Sequence, residues 1–96
     1  MPHVRLSARA RLDLVRLHRF LAEKDTAIAS KAIDEIQASL IPLTRMPKIG
    51  RLVEGGLREL VIEFGSSGYL ALYDFDEAID EIVILAVRHQ KEFDYK

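Results

Sequence analysis

At Leu57 the hydrophobic period of this chain changes from that of a helix to that of a strand, and it does not change back. Apolar residues three and four apart line one face of a helix, whereas strict alternation lines one face of a strand. Before the switch, Ala10, Leu14, Leu17 and Leu21 recur at spacings of 4, 3 and 4. Ala29, Ala32, Ile33, Ile36, Leu40 and Leu43 repeat the helical pattern. After it, Leu60, Ile62 and Phe64 alternate with Glu59 and Glu63. Helices gathered in one run and strands in another predict an α+β domain.

Local signals divide this pattern into elements. Residues 3–6 are apolar at alternate positions and predict a short edge strand. Ser7 is placed to cap the first helix, and Asp25 or Thr26 the second. About residues 23–25 separate the helices, and so short a link makes them antiparallel neighbours. Pro42 lacks an N–H and disfavours helix at Ile41, so the second helix ends or kinks there. Residues 44–56 have no period and contain Pro47, Gly50, Gly55 and Gly56. They read as a basic loop, either functional or a plain crossover to the sheet.

Residues 57–64 and 69–75 read as strands around the turn Gly65-Ser66-Ser67-Gly68. Residues 76–80 form a second, acidic turn. Ile82-Val83-Ile84-Leu85-Ala86-Val87 is apolar without a break. Such a run predicts a central strand covered on both faces, or one whose outer face meets a partner. Strands joined by short turns are antiparallel. The expected fold is β-α-α-β-β-β, a helical hairpin on a small antiparallel sheet, as a single domain over residues 1–96.

Composition narrows the function. Cysteine is absent from the 96 residues, which excludes disulfides and thiolate metal sites. No apolar run approaches the ~20 residues that span a bilayer, and the first twenty hold five arginines. A cytoplasmic protein without a signal peptide or membrane contact is therefore expected. The formal net charge is −1, but it hides a gradient. Residues 1–60 carry eleven basic and seven acidic groups, a net of +4, and residues 61–96 carry three and eight, a net of −5. Arg5, Arg9, Arg11, Arg16 and Arg19 face Asp13 alone in the first segment. That asymmetry suggests a charged binding face; the alternative is that folding interleaves the two signs as surface ion pairs.

His3, His18 and His89 are scattered without ligand spacing, so neither a metal nor a cofactor is expected. Gly55-Gly56 and the Gly65–Gly68 turn lack the strand–loop–helix context of a phosphate loop. One constellation remains. Arg88, His89, Lys91 and Tyr95 follow the apolar strand. Histidine can act as general acid or base, Arg and Lys can neutralise phosphate, and tyrosine can stack on a base. Metal-free RNA cleavage needs such groups, because the ribose 2′-hydroxyl supplies the nucleophile. Arg58 either completes a basic cleft with Arg51 and the tail or runs its stem along the core edge. The plain alternative for residues 88–96 is a solvated polar tail.

The ordered set Lys48-Ile49-Gly50-Arg51, Leu57-Arg58-Glu59-Leu60-Val61, Gly65-Ser66-Ser67-Gly68-Tyr69, Tyr73 and Ile84-Leu85-Ala86-Val87-Arg88-His89-Gln90-Lys91-Glu92 resembles the RelE/ParE superfamily of type II toxins. The resemblance spans nearly the whole chain. It implies a bacterial toxin of a plasmid or chromosomal stabilisation module, neutralised by a cognate antitoxin in a hetero-oligomeric complex. RelE-like members cut mRNA at the ribosomal A site without metal; ParE-like members inhibit DNA gyrase. On the RelE-like reading, Arg58, Arg88, His89, Lys91 and Tyr95 are the catalytic set. Leu70 stands where RelE-like nucleases carry arginine, and Glu59 and Glu63 stand where they are basic. Both departures place the chain closer to ParE, as a non-enzymatic inhibitor with the ribonuclease as the alternative. On the ParE-like reading, Arg9, Arg16, Arg19 and Arg51 meet the target. A disordered acidic antitoxin segment would fold on Leu12, Val15 and Phe20, which lie beside the core stripe; the alternative is that these three pack in the core.

Overall fold

A computed structural model describes residues 2–91. Its elements run β1 (His3–Leu6), α1 (Ala8–Ala22), α2 (Thr26–Leu40), β2 (Arg51–Leu52), β3 (Arg58–Phe64), β4 (Ser67–Asp76) and β5 (Glu81–His89). The helix starts follow from their caps. Ser7 Oγ accepts the Ala10 N–H at 3.0 Å, and Asp25 Oδ1 accepts those of Ala27 and Ile28 at 2.9 and 3.1 Å. Each such cap stabilises its helix by about 1 kcal/mol. α2 stops at Leu40, and Pro42 sits in a 3-10 turn, Ile41–Thr44, where its missing N–H costs nothing.

The five-stranded sheet has the order β1-β5-β4-β3-β2. The pairs β2–β3, β3–β4 and β4–β5 are antiparallel. β1 pairs parallel with β5, Val4 opposite Ile82 and Leu6 opposite Ile84, so the sheet is mixed where a wholly antiparallel one was expected. The short-turn rule governs strands that follow one another, and β1 instead joins the last strand through a long crossover containing both helices. Residues 44–56 are also more ordered than a loop: β2 extends the sheet beyond β3, and a second 3-10 turn covers Glu54–Gly56. The hairpin turn is as short as its glycine allows. Gly65, at φ +60°, and Ser66 connect β3 to β4.

One sheet face packs on the helices. Ile62, Tyr69, Ala71, Tyr73, Ile82, Ile84 and Val87 join Ala10, Leu14, Leu17, Ile36, Leu40 and Leu43 in one core. β5 is central, as its apolar run predicts, but its alternation is broken by a bulge. Leu72 lies opposite Ala86 while Tyr73 lies opposite Ile84, so Leu85 is an extra residue. The bulge brings Val87 to the helix side, one position later than strict alternation from Ile84 would.

Candidate functional site

β1 ends at Leu6, yet β5 continues to His89, so the last part of β5 would be an open edge. The start of α1 covers it. Ser7 Oγ donates to the Leu85 carbonyl at 3.1 Å, Asp13 Oδ2 accepts the Val87 N–H at 2.9 Å, and Arg16 Nη2 donates to the Val87 carbonyl at 3.4 Å. Three side chains of one helical segment thus stand in for a neighbouring strand. Asp13 is 7% exposed, between Arg9 at 3.8 Å and Arg16 at 3.7 Å. The i,i+4 and i,i+3 spacing of those charges was the sequence signal for this role.

A second network fixes residues 47–50. The Tyr73 hydroxyl accepts the Gly50 N–H at 2.9 Å and donates to the Pro47 carbonyl at 2.8 Å. Arg58 Nη1 donates to the carbonyls of Gly50, at 2.9 Å, and Lys48, at 3.2 Å. Burial pushes the Tyr73 phenol above its ordinary 10.0, opposed by the Gly50 hydrogen bond and the Arg58 charge. Burial does the same to Tyr69. Outside this network, Lys48 meets Glu77 at 2.6 Å and holds its carboxyl below the usual range through that hydrogen bond and its charge.

The candidate nuclease residues are gathered only in part: His89 and Lys91 border one groove, and Arg58 lies apart from them. Arg58 shares the helix side with Leu60 and Ile62, opposite Tyr73. Arg88, opposite Leu70, alternates to the other face from His89, opposite Tyr69. Tyr69 and Tyr73 are four positions apart on β4, which is about 13 Å of strand between the Arg58 and His89 rows. Arg51 lies at the far edge of the sheet, where its Nε and Nη2 donate to Glu59 Oε1 at 3.1 and 2.7 Å. The Glu59 side chain is 5% exposed. Tyr95 lies outside the described residues. The strand reaches Arg88 and His89, so the polar tail begins later than residue 88. His89 Nδ1 accepts the Lys91 N–H at 3.0 Å, and its ring meets Tyr69 edge-on at 5.2 Å.

Leu12, Val15 and Phe20 do not pack in the core; they are 69%, 47% and 56% exposed. They are not one groove either, because α1 divides them. Val15 borders a groove of about 530 Å³ between the helices, with Leu6, Leu14, Ile33, Arg11 and Arg19. Phe20 borders a groove of about 430 Å³ on the β5 side, with Leu17, Leu21 and Tyr69. Leu12 stands on the helix crest between them. Of the arginines expected to meet a target, Arg9 and Arg16 flank Asp13, while Arg19 borders the interhelical groove. The positive charge of residues 1–60 is thus partly interleaved with Asp13 and partly set along the interhelical groove. Among the described residues, no group of three His, Asp or Glu is placed to hold a metal, and no helix is long and apolar enough to cross a membrane.

A family model described as the ParE toxin of the type II toxin-antitoxin system, parDE, matches residues 4–92. Toxin RelE3 of Caulobacter vibrioides is 36% identical over 92 residues, covering 96% of this chain and 98% of that protein. Toxin RelE1 of the same organism is 39% identical over 70 residues, covering 73% and 75%. A chain of the chromosomal ParDE TA system from P. aeruginosa shares the fold with a TM-score of 0.75 at 24% identity, over 93% of this chain and 96% of that one. A chain of the toxin-antitoxin complex RelBE2 from Mycobacterium tuberculosis gives 0.59 at 26% identity, over 94% and 100%. These likenesses define the class as the α+β toxins of the RelE/ParE superfamily. Within it, the chain belongs to the ParE toxin family and is a toxin of a type II toxin–antitoxin system.

Proposed function

We propose that the toxin acts by binding DNA gyrase, as ParE-like toxins do, and is held inactive by a cognate antitoxin. The observation that carries the reading is the dispersal of its cations. A metal-free nuclease needs phosphate-binding groups and an acid–base group around one scissile bond. Here Arg58 is held by loop carbonyls, and Arg88 and His89 alternate to opposite sheet faces. What remains is a binding surface along α1, with Arg19 and Val15 bordering one groove and Leu12 exposed on the helix crest. A gyrase supercoiling assay with purified toxin tests it: inhibition supports the reading, and none at any soluble concentration removes it.

The second reading is a ribosome-dependent mRNA endoribonuclease. It is favoured by one observation, that His89 and Lys91 share a groove with Arg16 and two aromatic rings. Primer extension on translated mRNA would then show A-site cuts that His89→Ala abolishes. The antitoxin proposal rests on the two apolar grooves and on the neighbouring structures, which come from systems described as toxin–antitoxin. Binding there would form a hetero-oligomer and would leave the described fold intact.

A further inference from the structure

Folding treats the arginines of the first segment unequally. Arg5 meets Glu81 at 3.2 Å, and Arg9 and Arg16 meet Asp13 at 3.8 and 3.7 Å. Among the described residues, Arg11 and Arg19 have no carboxylate partner. Both border the groove of about 530 Å³ between α1 and α2, over an apolar floor of Leu6, Leu14, Val15 and Ile33. His18 and Gln37 are the other polar groups in that lining, and no carboxylate is among them. Arg11 and Arg19 are the first and last α1 residues of the lining, about 12 Å apart along the helix axis. The Arg19 end has His18 beside it, so it offers a guanidinium fork and an imidazole. From there the floor runs over Val15, Ile33 and Leu14 to Leu6, just before the start of α1.

We propose that this groove is a small-molecule site for a long-chain carboxylate, its head held by Arg19 and His18 and its alkyl chain laid over Val15, Ile33 and Leu14 toward Leu6. The site goes beyond the gyrase and antitoxin readings and needs no partner protein. Charge complementarity selects an anion, because cations without carboxylate partners border the groove. One guanidinium matches one carboxylate in a bidentate pair. The apolar floor selects the chain, which buries hydrocarbon and brings no polar group that must be satisfied. An extended peptide in the same place would bring backbone N–H and C=O groups, with Gln37 as the single amide in the lining to meet them. The volume lies within the range of small-ligand sites.

The test is a titration of isotope-labelled full-length toxin, without antitoxin, with sodium dodecanoate below its micelle concentration. Amide signals of Leu14, Val15, His18, Arg19 and Ile33 should shift together and saturate. Octanoate should bind at least about tenfold more weakly, because its shorter chain buries fewer methylenes. Dodecyl maltoside, with the same chain and an uncharged head, should also bind at least about tenfold more weakly. Arg19→Gln should weaken dodecanoate binding at least about tenfold, and Arg11→Gln should weaken it less. Arg45→Gln, outside the groove, should bind like the wild type. All three arginines are exposed, so the variants should fold; an unchanged unfolding midpoint checks that. No saturable shifts, equal binding of octanoate or of the maltoside, or a larger loss in Arg11→Gln than in Arg19→Gln would overturn the proposal. So would the same shifts from acetyl-EDFLED-amide at equal concentration, which would assign the groove to an acidic peptide. Shifts that appear on raising toxin concentration alone would assign it to a second copy. A toxin that floats with phosphatidylglycerol vesicles and shows no shifts with free dodecanoate would assign the face to a membrane; both outcomes overturn the proposal.

Discussion

The Asp13 carboxylate accepts the N–H of Val87 at 2.9 Å, a helix side chain bonded to strand backbone 74 positions away. It lets α1 close the part of β5 that β1 does not reach. Asp13→Ala should leave that buried N–H without its acceptor and cost about 1–3 kcal/mol in urea unfolding. Asp13→Asn keeps an acceptor oxygen and should cost less. Hydrogen exchange gives the local readout: the Val87 amide should exchange faster in the alanine variant while the β3–β4 amides keep their order of protection.

Tyr73→Phe should cost a similar amount, about 1–3 kcal/mol, because the Gly50 N–H and the Pro47 carbonyl both lose their partner. Binding assays on the α1 side should be unaffected, since the network lies at the other end of the sheet.

Gly50 tolerates no side chain. A Cβ there would lie 2.7 Å from the Tyr73 ring and hydroxyl and 2.9 Å from the Glu59 carbonyl. Gly50→Ala should therefore destabilise the fold by about 1–3 kcal/mol, as overpacked cores do. Combined with Tyr73→Phe, it should cost less than the two single changes added, because the phenolic oxygen is one of the clashing atoms. A double-mutant cycle of thermal melts checks this.

Alkaline pH should unfold the protein through the same tyrosines. Burial raises the Tyr69 and Tyr73 phenols above 10.0, so beyond that pH the folded chain holds protons that the unfolded chain has lost. Stability is then full below about pH 10 and falls as pH rises through the raised folded values. Tyr73→Phe should make the fall shallower. Urea midpoints measured between neutral and strongly alkaline pH give both slopes.

On the outer side of α1, Leu12→Glu with Val15→Glu should leave the melting temperature within experimental spread, because neither side chain belongs to the core. The pair should weaken antitoxin binding by at least about tenfold if the antitoxin crosses the helix there. Calorimetric titration measures it directly.

What was legible in the sequence was local. The Ser7 and Asp25 caps, the break at Pro42, the Gly65 turn and the helix-facing stripes all follow from neighbours a few residues apart. What was hidden depends on distant partners. No period of residues 3–6 announces that β1 pairs parallel with the last strand. The unbroken apolar run of β5 conceals the bulge at Leu85, because a change of face shows only where polar residues alternate. Arg58 reads in the sequence as part of a basic cleft or as a stem along the core edge; its bonds to Lys48 and Gly50 come from how residues 47–50 fold back on Tyr73. Leu12, Val15 and Phe20 lie beside the stripe that packs inward, and helical spacing alone did not show that α1 would part them into two grooves.

The dispersal of Arg58, Arg88 and His89 is the observation behind the proposal that this toxin binds its target instead of cutting RNA. The direct measurement is gyrase-catalysed supercoiling of relaxed plasmid with increasing purified toxin, alongside primer extension on mRNA being translated in the presence of the same toxin. A gyrase-directed toxin should block supercoiling with wild-type and His89→Ala protein alike and leave the transcripts uncut. Unimpeded supercoiling together with A-site cuts that vanish in His89→Ala would contradict it.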